Sequence, residues 1–551
     1  MLSIFLLFFQ LEEGFVKSQK MLFFSLIAIA CFGYSATSFP ASADTKHCVV
    51  VSGHDLTIDD VVNVARNRHT VVLSDDAKER IKRSRETVDA LVDQDKVVYG
   101  LTTGFGSLAT VSISKEQTKE LQVNLIRSHA VGVGPAFSED VVRAAMLLRV
   151  SAFAQGASGI RLETVHKLIE MLNKNIYPYV PQKGSVGASG DLAPLSHIML
   201  VLMGEGEVFY EGRRVATESV LQELEFTPIS LVSKEGLALN NGCTVLTGLA
   251  ALTIADAQTL IKSAQITAAA TFEALKACSS PFDPRIHMVR PHWGQIECAF
   301  NMRSLLQDSQ LIDSKEGKIQ DCYSIRCFPQ IMGASIDAFR YAKKIVETEM
   351  NSATDNPLIF DDAAYSGGNF HGQPVAFAMD FLGIALAEVA NVSERRSARL
   401  VDPGLNEGLP AFLVEGSGLN SGFMIPQYTA ASLVSENKVL AHPSSVDSIP
   451  TCANQEDHVS MASFAARKAA EILNNAFFVV AIELHLATQA LEFRTLTPGY
   501  ATRLVKDIVR EKVTFVEDDC VLYKDMETLT EMLKSNIFVD AVEKQIAVLS
   551  I

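Results

Sequence analysis

The 551-residue sequence contains no CxxC pair, no HExxH motif and no GxxxxGK[ST] motif. It therefore gives no support to a zinc site built on paired cysteines, to a metalloprotease helix or to a P-loop nucleotide site. Nine cysteines are too few for a disulfide scaffold in a chain of this length. We predict that most of them are buried thiols.

Long runs of Lys or Arg are also missing, and 48 basic side chains face 64 acidic ones, for a net charge of -16. A polyanion would approach against this field, so no nucleic acid partner is expected. With 48% hydrophobic and 20% charged residues, the chain is not disordered. Pro and Gly do not gather into a linker, and no repeat of 20 to 50 residues is present.

The N-terminal segment is apolar, but its two stretches at 1–9 and 21–34 are shorter than the roughly 20 residues of a membrane-spanning helix. No stable membrane span is predicted there. Two lysines precede the second stretch, and Ala-Ser-Ala follows it at 41–43. This order is typical of a secretory signal, so we predict export after cleavage near Ala43. The alternative is a wrongly assigned start codon, an apolar N-terminal arm and a cytoplasmic location.

Helical periodicity dominates the rest of the chain. Apolar residues recur at steps of three and four along 461–493, and segments 139–154 and 376–400 have similar character. Segment 243–278 is apolar on most sides, which predicts a helix at the centre of a bundle. The predicted fold class is mainly α, with a long central helix bundle and a smaller mixed N-terminal lobe.

Short strand-like pieces at 48–52, 71–73 and 207–210 are expected to be peripheral. Glycine and proline are frequent in two segments between helices, 181–194 and 402–426. Loops of this kind at the ends of a bundle are the expected location of the chemistry.

One glycine-rich segment, GSVGASGDLAPLSH at 184–197, has two interpretations. Composition alone predicts a flexible loop that ends in a helix N-cap at Asp191. A nucleophile elbow is excluded because the final glycine of GxSxG is absent. Alternatively, the Gly190 amide nitrogen attacks the Ala188 carbonyl, and loss of two waters, including the Ser189 hydroxyl, leaves a dehydroalanine in a five-membered ring.

The tripeptide itself is not decisive, since Ala-Ser-Gly also occurs at 157–159 without the glycine-rich approach or the following Asp-Leu-Ala-Pro. The longer string resembles that of the aromatic amino acid ammonia-lyases, which carry the methylideneimidazolone (MIO) group. The likeness extends through nearly all of 50–551. It implies a mostly helical homotetramer, active sites built from more than one subunit, an MIO group formed from Ala188, Ser189 and Gly190, and no metal or dissociable cofactor.

The resemblance also assigns roles to individual residues. Tyr99 in VYGLTTGFG matches the tyrosine that removes the β-proton, although a phenol with a pKa near 10 is a poor base at neutral pH. Arg326 matches the arginine that binds the substrate carboxylate, for which its two-pronged donor geometry is suited. Tyr323 matches the second catalytic tyrosine of the family, and Asn241 matches the asparagine beside the MIO group and the substrate carboxylate. Gln320 and Phe370 match residues that line the same pocket.

Two positions indicate the substrate. His129 in RSHA and Glu456 in NQEDHVSM both match the histidine branch of the family, and a carboxylate facing a hydrocarbon ring would be left unpaired. We therefore expect L-histidine. The plainer alternatives are a helix-surface histidine and a solvated acid. Thr102, Cys243 and Phe328 depart from the histidine-branch pattern near the expected pocket, which keeps tyrosine or phenylalanine ammonia-lyase and aminomutase activity open.

The expected reaction is addition of L-histidine to the MIO electrophile, removal of the β-proton by Tyr99 and expulsion of ammonia to give trans-urocanate. Length alone would predict three or four domains. The pocket motifs instead predict one catalytic unit at 44–551, with an N-terminal lobe at about 44–240 that carries the MIO loop and a bundle at about 241–551. A non-catalytic helical scaffold is the alternative from a different class.

Overall fold

Long helices form where apolar residues recur at helical spacing. The computed structural model describes residues 47–94 and 96–551, so the predicted signal segment lies outside the described residues. Within that range there are nineteen α-helices. They are α1 Ile58–Ala65, α2 Asp75–Asp93, α3 Thr118–His129, α4 Glu139–Ala154, α5 Leu162–Asn173, α6 Leu192–Leu202, α7 Thr217–Val220, α8 Glu235–Asn240, α9 Thr244–Ala274, α10 Pro284–Met288, α11 Trp293–Leu305, α12 Tyr323–Arg326, α13 Phe328–Met350, α14 Gln373–Val401, α15 Met424–Leu440, α16 Ala462–Glu492, α17 Tyr500–Arg510, α18 Tyr523–Lys534 and α19 Ile537–Gln545.

The strands are short and lie outside the bundle. They are β1 Cys48–Val51, β2 Thr70–Leu73, β3 Val133–Ala136, β4 Tyr177–Pro178, β5 Pro181–Lys183, β6 Glu207–Tyr210, β7 Arg213–Ala216, β8 Leu358–Phe360 and β9 Ala363–Tyr365. Strands β1 and β2 pair in parallel, with Cys48 opposite Thr70. The other pairs are antiparallel: β3 with β5, β6 with both β4 and β7, and β8 with β9. The three predicted strand-like pieces are confirmed.

The four predicted long helices are also confirmed, and the mainly α fold class with them. Segment 461–493 forms α16, and 243–278 forms α9. Segments 376–400 and 139–154 form α14 and α4. Residues Cys48–Ile551 belong to one compact unit. The boundary near residue 240 between an N-terminal lobe and a bundle stays a prediction.

Helix α9 lies at the centre of the bundle, with 25 of its 31 residues buried. It packs against α4, α13, α14 and α16. Its many Ala and Thr side chains are small, which lets neighbouring helices approach closely. The buried helix α9 therefore provides a fixed support for the loops that contact its first turn.

A buried ion pair links three helices of the bundle. Arg396 of α14 forms two parallel hydrogen bonds with Glu483 of α16, at 2.5 and 2.7 Å, and neither side chain is exposed. The hydroxyls of Ser393 and Thr271 donate to the same carboxylate at 2.6 and 2.8 Å. Removal of one partner would leave a buried charge, at a cost of about 3–5 kcal/mol.

By length and composition alone, three of the described helices are apolar enough to cross a membrane: α9, α14 and α16. Each is largely enclosed by the protein, however. The buried share of its most apolar 18-residue window is 72%, 67% and 78%, respectively. Their apolar surfaces are therefore accounted for mainly by contacts within the bundle.

The cysteines differ from expectation. Of the eight that the structure describes, only Cys243, Cys278 and Cys298 are buried, while Cys452 and Cys520 are exposed. The prediction that most are buried thiols is therefore wrong for this part of the chain. Cysteine is often buried as a small apolar side chain, but a loop position overrides that preference.

Candidate active site

The glycine-rich segment forms a tight loop between β5 and α6. Asp191 occupies the N-cap position of α6, as composition predicts, but its carboxylate does not cap that helix. It instead accepts hydrogen bonds from the Leu246 amide, in the first turn of α9, at 2.7 Å and from the Ser185 hydroxyl at 3.2 Å. Burial raises the pKa of Asp191 to about 7. The loop is thus tied to the start of the central helix.

Only glycine fits at position 190. Its φ is +69°, and a Cβ there would lie 2.0 Å from the Gly242 carbonyl oxygen. The Asp191 amide donates to that carbonyl at 2.7 Å, and the Gly242 amide donates to the Ser189 carbonyl at 3.2 Å. The tripeptide backbone therefore lies directly against residue 242. This close approach excludes a side chain at position 190 and holds the tripeptide backbone in one conformation.

The second Ala-Ser-Gly tripeptide has a different environment. Ser158 is only 1% exposed, and its hydroxyl has no hydrogen-bond partner among the described residues. A Cβ on Gly159 would lie 2.3 Å from Val88 of α2, so this turn packs against the protein core. Ser189, in contrast, reaches two cavities. The two copies of Ala-Ser-Gly therefore have the same sequence, but only the copy at 188–190 lies at the cavities.

Two adjoining cavities surround Ser189, with volumes of about 520 and 340 Å³. Both are lined by Tyr99, Asn241 and Glu456 in addition to Ser189. His129 lines the larger cavity, and Ala188 and Phe370 line the smaller one. We call this set the cavity cluster: Tyr99, His129, Ala188, Ser189, Asn241, Phe370 and Glu456. It unites most of the residues that the sequence motifs single out.

The side chain of Glu456 contacts the tripeptide directly. Its Oε1 accepts a hydrogen bond from the Ser189 hydroxyl at 2.9 Å. Its Oε2 accepts one from the Thr451 hydroxyl at 2.6 Å. Main-chain hydrogen bonds in both directions between Thr451 and Glu456 close the loop that carries the carboxylate. The Glu456 carboxylate therefore lines the cavity in an orientation fixed by these hydrogen bonds and is not freely solvated.

Tyr99 points its hydroxyl into the same region. The Gly106 amide donates to the Tyr99 hydroxyl at 2.9 Å, and Phe105 packs edge-on against the ring at 6.5 Å. Burial raises the pKa of Tyr99, and the Gly106 hydrogen bond opposes this effect only in part. Within one chain the environment therefore favours the neutral phenol, which is the opposite of what a base at neutral pH needs.

His129 is the last residue of α3, and its Nδ1 lies 3.0 Å from the Ser128 hydroxyl. Burial lowers the pKa of His129, with Glu456 as a weaker opposing influence. The neutral imidazole is therefore favoured. A neutral imidazole presents one donor and one acceptor nitrogen to the larger cavity.

Asn241 directly follows the short helix α8 and is only 4% exposed. Its side-chain oxygen has no partner among the described residues. The start of α8 is fixed by Lys234, which forms a fully buried ion pair with Asp355 at 2.8 Å. Such a pair is costly to break, so α8 holds Asn241 at a defined place in the cavity wall.

Besides Gly190, which lies against Gly242, three predicted site residues line neither cavity: Gln320, Tyr323 and Arg326. We call them the helix cluster, because they lie on α12 and the loop before it. The Arg326 guanidinium donates to the Gln320 side chain and lies 4.9 Å from the centre of the Tyr323 ring. Tyr323 is 68% exposed. A single chain therefore brings these three residues to each other, and not to the cavity cluster.

The three departures from the histidine-branch pattern do not line the cavities either. Cys243 is buried behind the pocket and donates to the Phe370 carbonyl at 3.0 Å. Phe328 is buried against Phe272, with ring centres 5.5 Å apart. Thr102 bonds to the main chain at Lys96 and Val98. None of these side chains therefore contacts the cavity space.

The structure adds residues in and beside the cavities that the motifs do not single out. Thr451 holds Glu456, and the rings of His371 and His458 stack in parallel in the smaller cavity. Cys452 lines the larger cavity against Gly106. His371 and His458 lie inside the GGNFHG and NQEDHVSM strings, so proximity to a quoted motif was the available signal. Among the described residues, no group of three or more His, Cys, Asp or Glu could hold a metal ion.

A mainly helical bundle with a glycine-rich loop beside Tyr99 and Glu456 is typical of one class of carbon–nitrogen lyases. The pattern that defines the aromatic amino acid lyase family matches residues 56–511. The chain belongs to this family.

Individual relatives agree with this assignment. A histidine ammonia-lyase from Alkaliphilus oremlandii is 55% identical over 503 residues, which cover 90% of this chain and 99% of the relative. The crystal structure of histidine ammonia-lyase from Trypanosoma cruzi has a TM-score of 0.84 at 42% identity, over 90% of this chain and 95% of that one. Tyrosine aminomutase from Streptomyces globisporus has a TM-score of 0.86 at 38% identity, over 90% and 98%.

Proposed function

We propose that the protein is an ammonia-lyase that converts L-histidine to trans-urocanate and ammonia. The observation that carries this proposal is the Glu456 carboxylate, 2.9 Å from the Ser189 hydroxyl in a cavity that His129 also lines. A carboxylate at this place is suited to an imidazole N–H, whereas a hydrocarbon ring would leave it unpaired. Relatives at 50 to 56% identity carry the name histidine ammonia-lyase.

The loop fits an MIO group formed from Ala188, Ser189 and Gly190. The fit rests on the φ of +69° at Gly190, the close approach to Gly242 and the position of Ser189 between two cavities. When present, the group supplies an electrophile stronger than any ordinary side chain. The Ser189 hydroxyl is one of the groups lost in its formation. Glu456 Oε1 then loses its present donor and becomes available to the substrate.

The other residues of the cavity cluster bind and orient the substrate in this proposal. Asn241 offers a side-chain oxygen without a partner, and His129 and Phe370 form walls of the two cavities. Tyr99 takes the β-proton. Because burial raises the pKa of Tyr99, this role requires groups that one chain does not place in the cavity.

Those groups come from a second subunit of a homotetramer in our proposal. The helix cluster would complete the site, with Arg326 on the substrate carboxylate and Tyr323 and Gln320 beside it. Exposed aromatic side chains on α13 and α14 support an interface: Tyr341, Phe377 and Phe381 are 42%, 40% and 47% exposed. Apolar surface of this kind marks protein contact sites.

A tyrosine or phenylalanine lyase or aminomutase is the second candidate. It is favoured by the tyrosine aminomutase structure, whose TM-score of 0.86 is close to the 0.84 of the histidine enzyme. Backbone similarity does not separate these activities. The difference lies in which ring the cavity accepts and in the fate of the amino group.

A spectrophotometric screen with histidine, tyrosine and phenylalanine tests the proposal, because each elimination product absorbs differently. We expect urocanate from histidine alone. A cinnamate-type product without urocanate would contradict the histidine assignment, and chromatography of the amino acid products would detect an aminomutase. No product from any substrate, together with a full-length mass that shows no loss of water, would support the scaffold alternative.

We also propose that residues 15–43 direct export. Support comes from the order of basic, apolar and small residues in that segment. N-terminal sequencing of the protein purified from its source organism tests this proposal. A mature protein that begins just after Ala43 is expected, whereas an uncleaved N-terminus in the cytoplasmic fraction would contradict export.

A further inference from the structure

We propose that His371 is a positioning residue that holds Glu456 in place for recognition of the imidazole ring. The proposal rests on the proposed histidine lyase function and adds a residue to its substrate-binding machinery. His371 acts through the main chain of residues 456–458, not by contact with the reacting atoms. The Nε2 of His371 lies 3.2 Å from the His458 carbonyl oxygen. A carbonyl only accepts, so Nε2 carries the proton and donates.

The contact belongs to a junction of three distant chain segments. The Met461 amide donates to the Val186 carbonyl at 2.9 Å, and the Ser460 hydroxyl donates to the Gly187 carbonyl at 3.0 Å. The Gly372 amide donates to the same Gly187 carbonyl at 3.3 Å. These bonds fix residues 460–461 and 372 to the loop that carries Ser189. His371 extends the junction toward Glu456.

Among these hydrogen bonds of the described residues, only the one from His371 is made to residue 458. One residue separates His458 from Glu456, so a displacement of the His458 carbonyl moves the carboxylate as well. The rings of His371 and His458 are parallel, with an interplanar angle of 2° and centres 5.9 Å apart. This stacking aligns the His371 ring with the carbonyl that it holds. The hydrogen bond and the stacking thus act on the same short segment.

The segment needs such a restraint. Cys452, Ala453 and Asn454 all have positive φ, between +51° and +66°, which is unfavourable for residues other than glycine. Residues 452–455 are exposed. A strained and exposed loop keeps one conformation only where neighbouring contacts impose it. His371, which also lines the smaller cavity, supplies one of those contacts.

Ring formation makes the restraint more important. In the structure Glu456 is held by two hydroxyls, those of Ser189 and Thr451. The Ser189 hydroxyl is lost when the MIO group forms, so Thr451 remains as the only side chain seen to bond to the carboxylate among the described residues. The orientation of Glu456 in the mature protein then depends more heavily on its main chain. Two hydrogen bonds with the Thr451 main chain hold that main chain at residue 456, and His371 holds it two residues further on.

The test compares His371→Ala, His371→Gln and His458→Ala with the wild type. His371→Ala removes the donor, while His371→Gln retains an N–H donor. His458→Ala removes the stacked ring but keeps the carbonyl acceptor. Intact mass, thermal unfolding, kcat and KM for histidine are measured for each full-length protein. Loss of the mass of two waters shows that the ring has formed, independently of turnover.

We expect all three variants to form the ring and to unfold near the wild-type temperature. His371→Ala should raise KM for histidine by roughly five- to tenfold, the effect of one lost hydrogen bond, with a smaller change in kcat. His371→Gln should recover most of the wild-type KM. His458→Ala should raise KM less than His371→Ala does.

An unchanged KM in His371→Ala would overturn the positioning role. So would a larger KM increase in His458→Ala than in His371→Ala, or a His371→Gln variant as impaired as His371→Ala. If His371→Ala lacks the ring or unfolds at a much lower temperature, the residue is structural and the proposal fails. Inactivity of the wild type toward histidine would overturn the proposed function itself, and the mass and unfolding data distinguish that outcome from misfolding.

Discussion

The cavity cluster and the helix cluster differ in how the chain builds them. Ser189, Asn241 and Glu456 come from segments far apart in sequence and meet around two cavities. Gln320, Tyr323 and Arg326 lie within seven positions of each other, partly exposed, at α12. The first cluster exists only because the whole chain folds. The second exists locally and lines neither cavity.

The two clusters are therefore expected to respond differently to substitution. Changes in the cavity cluster alter contacts within one chain, so they are expected to affect ring formation, folding or both. Changes in the helix cluster remove few contacts within the chain. They should therefore affect turnover while leaving the ring and the stability intact, if the cluster acts on a neighbouring subunit.

The largest effect is expected from Ser189→Ala. Without the hydroxyl no dehydroalanine can form, so we expect a loss of activity of at least about a thousandfold. The fold should persist, because the side chain mainly contacts Glu456. Intact mass and a urocanate assay provide the measurement.

The second Ala-Ser-Gly tripeptide supplies the matched control. Ser158→Ala changes a buried hydroxyl without a partner, so ring formation and turnover should remain. Loss of the ring in Ser158→Ala would contradict the prediction that only the tripeptide at 188–190 forms the ring.

Gly190→Ala should be nearly as damaging, and it should also reduce stability. The new Cβ would lie 2.0 Å from the Gly242 carbonyl, so the loop must move. We expect a loss of more than about 2 kcal/mol in the free energy of unfolding, together with loss of the ring. Chemical denaturation and intact mass check both effects.

Gly212→Ala is the matched control, because the φ of Gly212 is +73° and no atom of the described residues lies within 4 Å of its Cβ position. It isolates the backbone cost of a positive φ, which is about 1 kcal/mol. Equal destabilisation by the two substitutions would contradict a special close approach at Gly190.

Arg326→Ala tests the helix cluster. Loss of a charge-assisted contact to a carboxylate should reduce kcat/KM by about a hundredfold, which corresponds to roughly 2–3 kcal/mol. The ring should still form, and the free energy of unfolding should change little because the side chain is partly exposed. Arg326→Lys keeps the charge and should be intermediate. A missing ring in Arg326→Ala would place this residue with the cavity cluster instead.

A smaller effect concerns pH. Burial raises the pKa of Glu349 to about 7, and Cys243 and Asp191 are the titratable groups that influence it. The folded protein therefore keeps a proton that the unfolded chain loses above about pH 4.5. The resulting stability is fully present below pH 4.5 and is lost as the pH rises through about 7.

Glu349→Gln removes this dependence, so the stability of the variant relative to the wild type should rise between pH 4.5 and 7. Part of the slope should remain, since burial also raises the pKa of Asp191 to about 7. Denaturation curves across this range provide the measurement, with the exposed Glu527→Gln as a charge-matched control. A constant difference between Glu349→Gln and the wild type would contradict the raised pKa.

Most of the fold could be predicted from local sequence patterns. The apolar spacing along 461–493 predicted α16 because a helix repeats every 3.6 residues and needs no distant information. The contact between Ser189 and Glu456 spans 267 positions, and no periodicity predicts it. Only resemblance to a family brought those two residues together beforehand.

Several features of the site could not be predicted from residue types or their spacing. His371 contacts the His458 carbonyl and Thr451 contacts the Glu456 carboxylate, and residue type alone does not predict either contact. The pKa of Tyr99 depends on burial, and burial in one chain shifts it away from the value that a base needs. The proposed completion of the site by another subunit would be a property of an assembly, and the spacing of residues in one chain does not predict it.

Subunit mixing tests the central claim most directly. Ser189→Ala and Arg326→Ala place defects in different clusters, and each variant alone should be nearly inactive. If each site takes its cavity cluster and its helix cluster from different subunits, coexpression at equal levels should restore roughly a quarter of the sites. Coexpressed Ser189→Ala and Glu456→Ala, which both alter the cavity cluster, should restore none. Mixed oligomers of the first pair without recovered urocanate production would contradict the account.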